Sequence, residues 1–124
     1  MKITSNTVFN KVELNAFKAK RDNVFERIEA GEDDARRELT PMMNEFEKSN
    51  PAEFLYWKGE MGGADNWVKA EGLVEGFVYQ GETRGKYNTF RAETYAGYID
   101  DGLSPLDAIS AAIKWQYDLP EKYS

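Results

Sequence analysis

The chain has 124 residues, 41% hydrophobic and 14% aromatic, with a formal net charge of −6 and neither cysteine nor histidine. That length predicts a single globular domain over 1–124, and the Phe, Trp and Tyr content is enough for one hydrophobic core. The missing residue types exclude disulfides, thiol nucleophiles, Cys/His zinc sites and histidine acid–base catalysis, and no apolar run is long enough to span a bilayer.

In chain order, the first predicted element is a helix over 7–30. Phe9, Val12, Ala16, Phe17, Val24, Phe25 and Ile28 recur near helical spacing, and Asn10 followed by Glu13 offers a later start as a capping pair. Gly31 ends it. A second helix starts near Asp33 with acidic groups in its first turn and a stripe of Ala35, Leu39, Met42, Met43 and Phe46. Pro41 interrupts that stripe and predicts a kink, or a fresh start with Thr40 as cap. In "NPAEFLYWKGEMGG", Asn50, Pro51 and Glu53 read as cap, first-turn proline and capping-box acid of a short third helix. Four large residues follow in a row, Phe54 to Trp57, and one helical turn does not point all four inward.

Residues 65–80 fit a helix face through Trp67, Ala70, Val74, Phe77 and Val78, although Gly72 and Gly76 oppose it by about 1 kcal/mol each. The alternative is a hairpin spanning about 73–92 across the "GETRG" turn. The helical reading is preferred. "NTFRAETYAGYIDDG" then predicts a helix with Asn88 as cap and Ala92, Tyr95, Ala96 and Ile99 inward. A last helix opens at Ser104 and Pro105 and stops at Pro120. The expected fold class is mainly α, a compact single-domain bundle of about five helices, with α+β as the alternative.

The charge is uneven: residues 31–60 carry four cations against eight anions, and 92–124 two against six. Phosphate binding needs clustered Lys and Arg, so nucleic acid is a poor partner, whereas a protein with a basic surface fits. "IDDGLSPLD" imitates the turn of a helix-turn-helix, but Asp100, Asp101 and Asp107 would face phosphates. Glu32, Asp33 and Asp34 stand in sequence and do not converge on one point, so they read as a solvated helix start and no metal is expected. No carboxylate sits in an apolar stretch that would raise its pKa, and Glu71 and Glu75 read as the polar side of their segment. No cofactor and no enzymatic activity are expected.

Two surfaces remain as candidates. Phe54, Tyr56 and Trp57, with the acidic residues Glu32, Asp33, Asp34, Asp100 and Asp101, are the expected protein-contact residues, and Trp57 is the ring expected at the contact itself. "QGETRGKYNTFR", residues 80–91, gathers Arg84, Lys86, Tyr87 and Arg91 around two glycines. It is expected to be an exposed connector. As a ligand loop it would take a small anion or nucleotide, with Tyr87 and Phe90 available for stacking. Its glycine–lysine spacing is not that of a P-loop.

Short, acidic, free of cysteine and beginning "MKITSN", the chain resembles small bacteriophage early proteins. That resemblance implies a protein that binds and blocks a host enzyme or defence complex, sometimes by imitating the charge of DNA. It is compositional and carries over no functional residue. A charge of −6 is well short of the strong DNA mimics, which leaves ordinary protein–protein inhibition. The reading is therefore a non-enzymatic protein-binding module acting through acidic and aromatic surface, with the anion-binding loop as the alternative. No signal peptide is visible, and the expected location is the cytoplasm, the host's if the chain is viral.

Overall fold

The computed structural model of the protein describes residues 1–62, 66–77 and 89–123, with side chains described as far as Lys114. It is mainly α. Five α-helices and a two-stranded antiparallel sheet follow the order α1 (Lys11–Glu29), a 3-10 helix (Asp33–Glu38), α2 (Leu39–Ser49), α3 (Pro51–Met61), β1 (Trp67–Lys69), β2 (Thr89–Arg91), α4 (Ala92–Asp100) and α5 (Pro105–Tyr123).

Helix ends follow local chemistry. Asn10 caps α1, its Oδ1 accepting from the backbone N–H groups of Val12 and Glu13 at 3.1 and 3.2 Å. Both α1 and α4 close with paired Schellman bonds: Glu32 N–H to Arg27 O with Gly31 N–H to Ile28 O, and Leu103 N–H to Tyr98 O with Gly102 N–H to Ile99 O. Ser104 caps α5 through the Asp107 N–H at 3.4 Å. The α5 helix continues past Pro120 to Tyr123, because proline deletes one helical bond without ending the turns on either side.

The stretch expected as one helix from Asp33 is a 3-10 helix joined to α2, and Glu38, not Thr40, stands at the α2 cap position. Pro41 falls in the first turn of α2, where little hydrogen bonding is lost. The buried line of α1 is Leu14, Phe17 and Val24, with Arg21 and Ile28 half-buried along it. Val12 and Ala16, expected inward, are exposed.

The largest departure from expectation lies in 65–80. The preferred helix is absent from its described part: β1 occupies Trp67–Lys69 and a turn follows. Gly72 and Gly76 hold φ of +84° and +67°, which a right-handed helix does not contain. Val74 forms a parallel bridge with Ile3, with Ile3 N–H to Leu73 O and Glu75 N–H to Ile3 O both 2.9 Å. The hairpin alternative had the second strand nearly in place and the first too late. The observed register pairs Trp67 with Arg91, Val68 with Phe90 and Lys69 with Thr89. Residues 89–91, expected as the start of a helix, are therefore β2, and helix begins only at Ala92.

The main core gathers Ile3, Leu55, Phe90, Tyr95, Ile109 and the alanines Ala52, Ala92, Ala108 and Ala112. Helices α3 and α4 run antiparallel and unusually close. A Cβ at Gly59 would collide with the Ala92 carbonyl and come within 3.0 Å of the Ala96 Cβ. Tyr95 is fully buried and donates its hydroxyl to the Ala52 carbonyl at 3.0 Å, and burial first, then the Glu53 charge, push its pKa up.

Candidate functional site

Helix α3 has a second face, turned towards α1 and α2. Phe54 and Trp57 lie on it. They close a ring of four aromatics with Phe17 of α1 and Phe46 of α2. Phe17 stacks on Phe46 at 4.2 Å and 3°, meets Trp57 edge-on at 5.3 Å, and Phe54 touches Trp57 at 5.6 Å and Phe46 at 6.4 Å. The run Phe54 to Trp57, which one helical turn does not point inward together, is covered by neighbouring elements. Leu55 is buried and the three rings are half-buried. Helical geometry sends Leu55 and Tyr56 towards α4, and α1 and α2 cover Trp57 and Phe54.

Helix α1 runs parallel to α3 and is fastened to both ends of it. At the start, Glu53, only 4% exposed, accepts the Asn10 N–H at 3.0 Å and the Asn50 side-chain amide at 3.2 Å. This differs from the expected capping box: the Asn50 side chain accepts no backbone N–H of α3 and donates to Glu53 instead, and Glu53 also takes the Asn10 N–H at the start of α1. At the other end Lys18 pairs with Glu60 at 2.7 Å.

Beyond that pair lies a cavity of about 300 Å³ lined by Lys18, Arg21, Asp22, Trp57, Glu60 and Met61. The Arg21 guanidinium lies 5.5 Å from the Trp57 ring and 5.5 Å from the Phe25 ring. Among the described residues its Nη1 donates only to the Met61 sulfur, at 3.6 Å, and its buried Nε has no partner. Phe25 and Met61 beside it are 43% and 61% exposed. This end of the α1–α3 seam therefore combines Trp, Arg and exposed apolar side chains, the types enriched where proteins meet.

Two further depressions, of about 240 and 650 Å³, lie between α1 and α2; Lys20, Met42 and Glu45 line both, with Phe17 in the first and Val24 in the second.

The acidic candidates sit apart from this seam. Arg27 holds Glu32 at 2.6 Å and Glu38 in a bidentate pair at 2.7 and 3.1 Å. The bond from Arg27 keeps the Glu32 carboxyl below its ordinary range and raises Arg27 in turn. Asp33 and Asp34 are exposed at the start of the 3-10 helix. Asp100 accepts the Tyr56 hydroxyl at 2.7 Å, and that bond, then burial, push the Tyr56 pKa up to about 12. Asp101 is exposed at the end of α4. The structure does not gather these carboxylates into one patch with Trp57. Among the described residues no three acidic side chains converge as metal ligands.

Of the loop candidates, Arg84, Lys86 and Tyr87 lie outside the described residues. Arg91 is described, and it is engaged: it pairs with Glu93 at 3.2 Å and covers the Trp67 ring at 5.6 Å.

Sequence reading singled out Trp57 but passed over Arg21, Phe25 as an exposed residue, and Met61. The signal available was weak: an arginine on the apolar line of α1, at helical spacing from Leu14, Phe17 and Val24. Comparison with protein-family models, curated proteins and solved structures finds no match for the chain. Among the described residues no helix is long and apolar enough to cross a membrane.

Proposed function

We propose that the protein is a non-enzymatic protein-binding module, an inhibitor of the phage type, whose contact centres on the α1–α3 seam. One observation carries this reading: a half-buried Trp57 and a stacked Arg21 are flanked by exposed Phe25 and Met61. Large apolar side chains left in water next to a held arginine gain most from a second protein surface, because burial of apolar area drives association. The partner expected from the net charge of −6 is one with a basic surface around the contact, steered by the outlying carboxylates.

The test is capture from a lysate of the cell in which the protein acts, by the immobilised chain and by a Phe25→Asp/Met61→Asp variant. Both substitutions fall on exposed side chains, and each alters stability by roughly 0.5 kcal/mol or less. The expected result is a stoichiometric protein held by the native chain over a range of salt and lost by the folded variant. Recovery of no stoichiometric protein at any salt concentration, or equal recovery by both, rejects the reading.

A further inference from the structure

Helix α1 carries two internal arginines in opposite circumstances. Arg27 is saturated, with Glu32 and Glu38 taking its Nε and both terminal nitrogens. Arg21 has two aromatic rings and, among the described residues, no carboxylate. A guanidinium is a planar fork of five N–H donors, and rings beside it fix its plane without satisfying those donors. A thioether sulfur is a weak acceptor, and a buried N–H without a partner costs stability. The Arg21 plane is thus held by the rings, with its Nε closed to solvent and its terminal nitrogens carrying no carboxylate among the described residues, beside the cavity the residue lines.

We propose that the Arg21 cavity receives a single carboxylate carried on an apolar group, presented by the protein partner. The inference rests on the protein-binding reading and names what the partner must bring to the seam. A carboxylate is the planar two-acceptor complement of the fork. The charged groups on the wall are Lys18, Arg21, Asp22 and Glu60, and Lys18 with Glu60 form a closed pair. Asp22 therefore remains as a local repulsion, which a singly charged carboxylate tolerates better than a phosphate. Trp57, Met61 and Phe25 supply apolar surface for the group that carries the acid. A volume of about 300 Å³ suits one residue, either an acidic side chain beside an apolar neighbour or a chain terminus.

The measurement is the Arg21 Nε–Hε resonance of the full chain during titration with small probes. N-acetyl-leucine presents a terminal carboxylate, N-acetyl-glutamyl-leucine amide a side-chain carboxylate, and N-acetyl-leucine amide none. The expected result is a saturable shift with a carboxylate probe and none with the amide, and the larger shift of the two acids identifies the source. Arg21→Met is expected to lose the response of the neighbouring Trp57 indole without a lower unfolding midpoint. A resonance that stays in place at probe concentrations on the order of 10 mM, or that moves equally with the amide, overturns the inference. Capture of the partner undiminished by Arg21→Met overturns it too, while leaving the protein-binding reading standing. A saturable shift without any captured protein removes that reading, and with it a protein partner as the source of the carboxylate.

Discussion

The two faces of α3 are built on different principles. Towards α4 it presents Ala52, Leu55 and Gly59, and backbone meets backbone. Towards α1 and α2 it presents Phe54 and Trp57, and rings hold the helices apart. The first face leaves no room for an added methyl group at Gly59. The second is bordered by the Arg21 cavity and the α1–α2 depressions. Small residues let two helices seat in a single way, whereas large rings fill space incompletely and leave gaps at their margins. The candidate site lies on the second face for that reason.

This contrast breaks first if Gly59→Val is tolerated. The new side chain meets the Ala92 carbonyl, which is backbone and cannot swing aside, so the expected loss is about 3 kcal/mol or more in denaturant unfolding. On the aromatic face Phe46→Leu keeps most of the apolar volume and leaves a neighbour with space to relax into. A loss of about 1 kcal/mol is expected there, and a larger loss than that of Gly59→Val would invert the comparison. The smallest effect is in pH. Tyr56, on the α4 side, has its pKa raised from 10.0 to about 12. Between these values the folded chain keeps a proton that the unfolded chain releases, so stability falls as pH rises through the interval. Tyr56→Phe removes that increment of alkaline sensitivity, and comparison of unfolding midpoints at pH values below and within the interval measures it.

Much of the helical frame was legible because caps are local. Asn10, Pro51 and Ser104 announce helix starts within four residues of chain, and the structure places starts beside each. The segment 65–80 was misread because its helical spacing is real while its conformation is decided elsewhere. Gly72 takes a left-handed angle, and Val74 is paired with Ile3, whose place in the fold no local pattern announces. Phe54 to Trp57 were legible as a problem, four large residues on one turn. Their solution needed the positions of Phe17 and Phe46. Arg21 was less legible still. In sequence it is one cation among several on α1, and only the arrival of Trp57 from another helix distinguishes it from Arg27.

Glu53 ties the backbone amide of the residue that caps one helix to the first turn of another, 43 residues along the chain. Its consequence is kinetic. The Asn10 amide is protected from solvent exchange only while α1 is seated on α3, since the acceptor belongs to the other helix. Its exchange rate therefore reports docking of α1 as a unit, separately from the amides deeper in α1 that are protected by the helix itself. Should α1 lift away with its own turns intact, Asn10 exchanges early and the interior of α1 late. A single amide then serves as the gauge of how often the aromatic face of α3 opens.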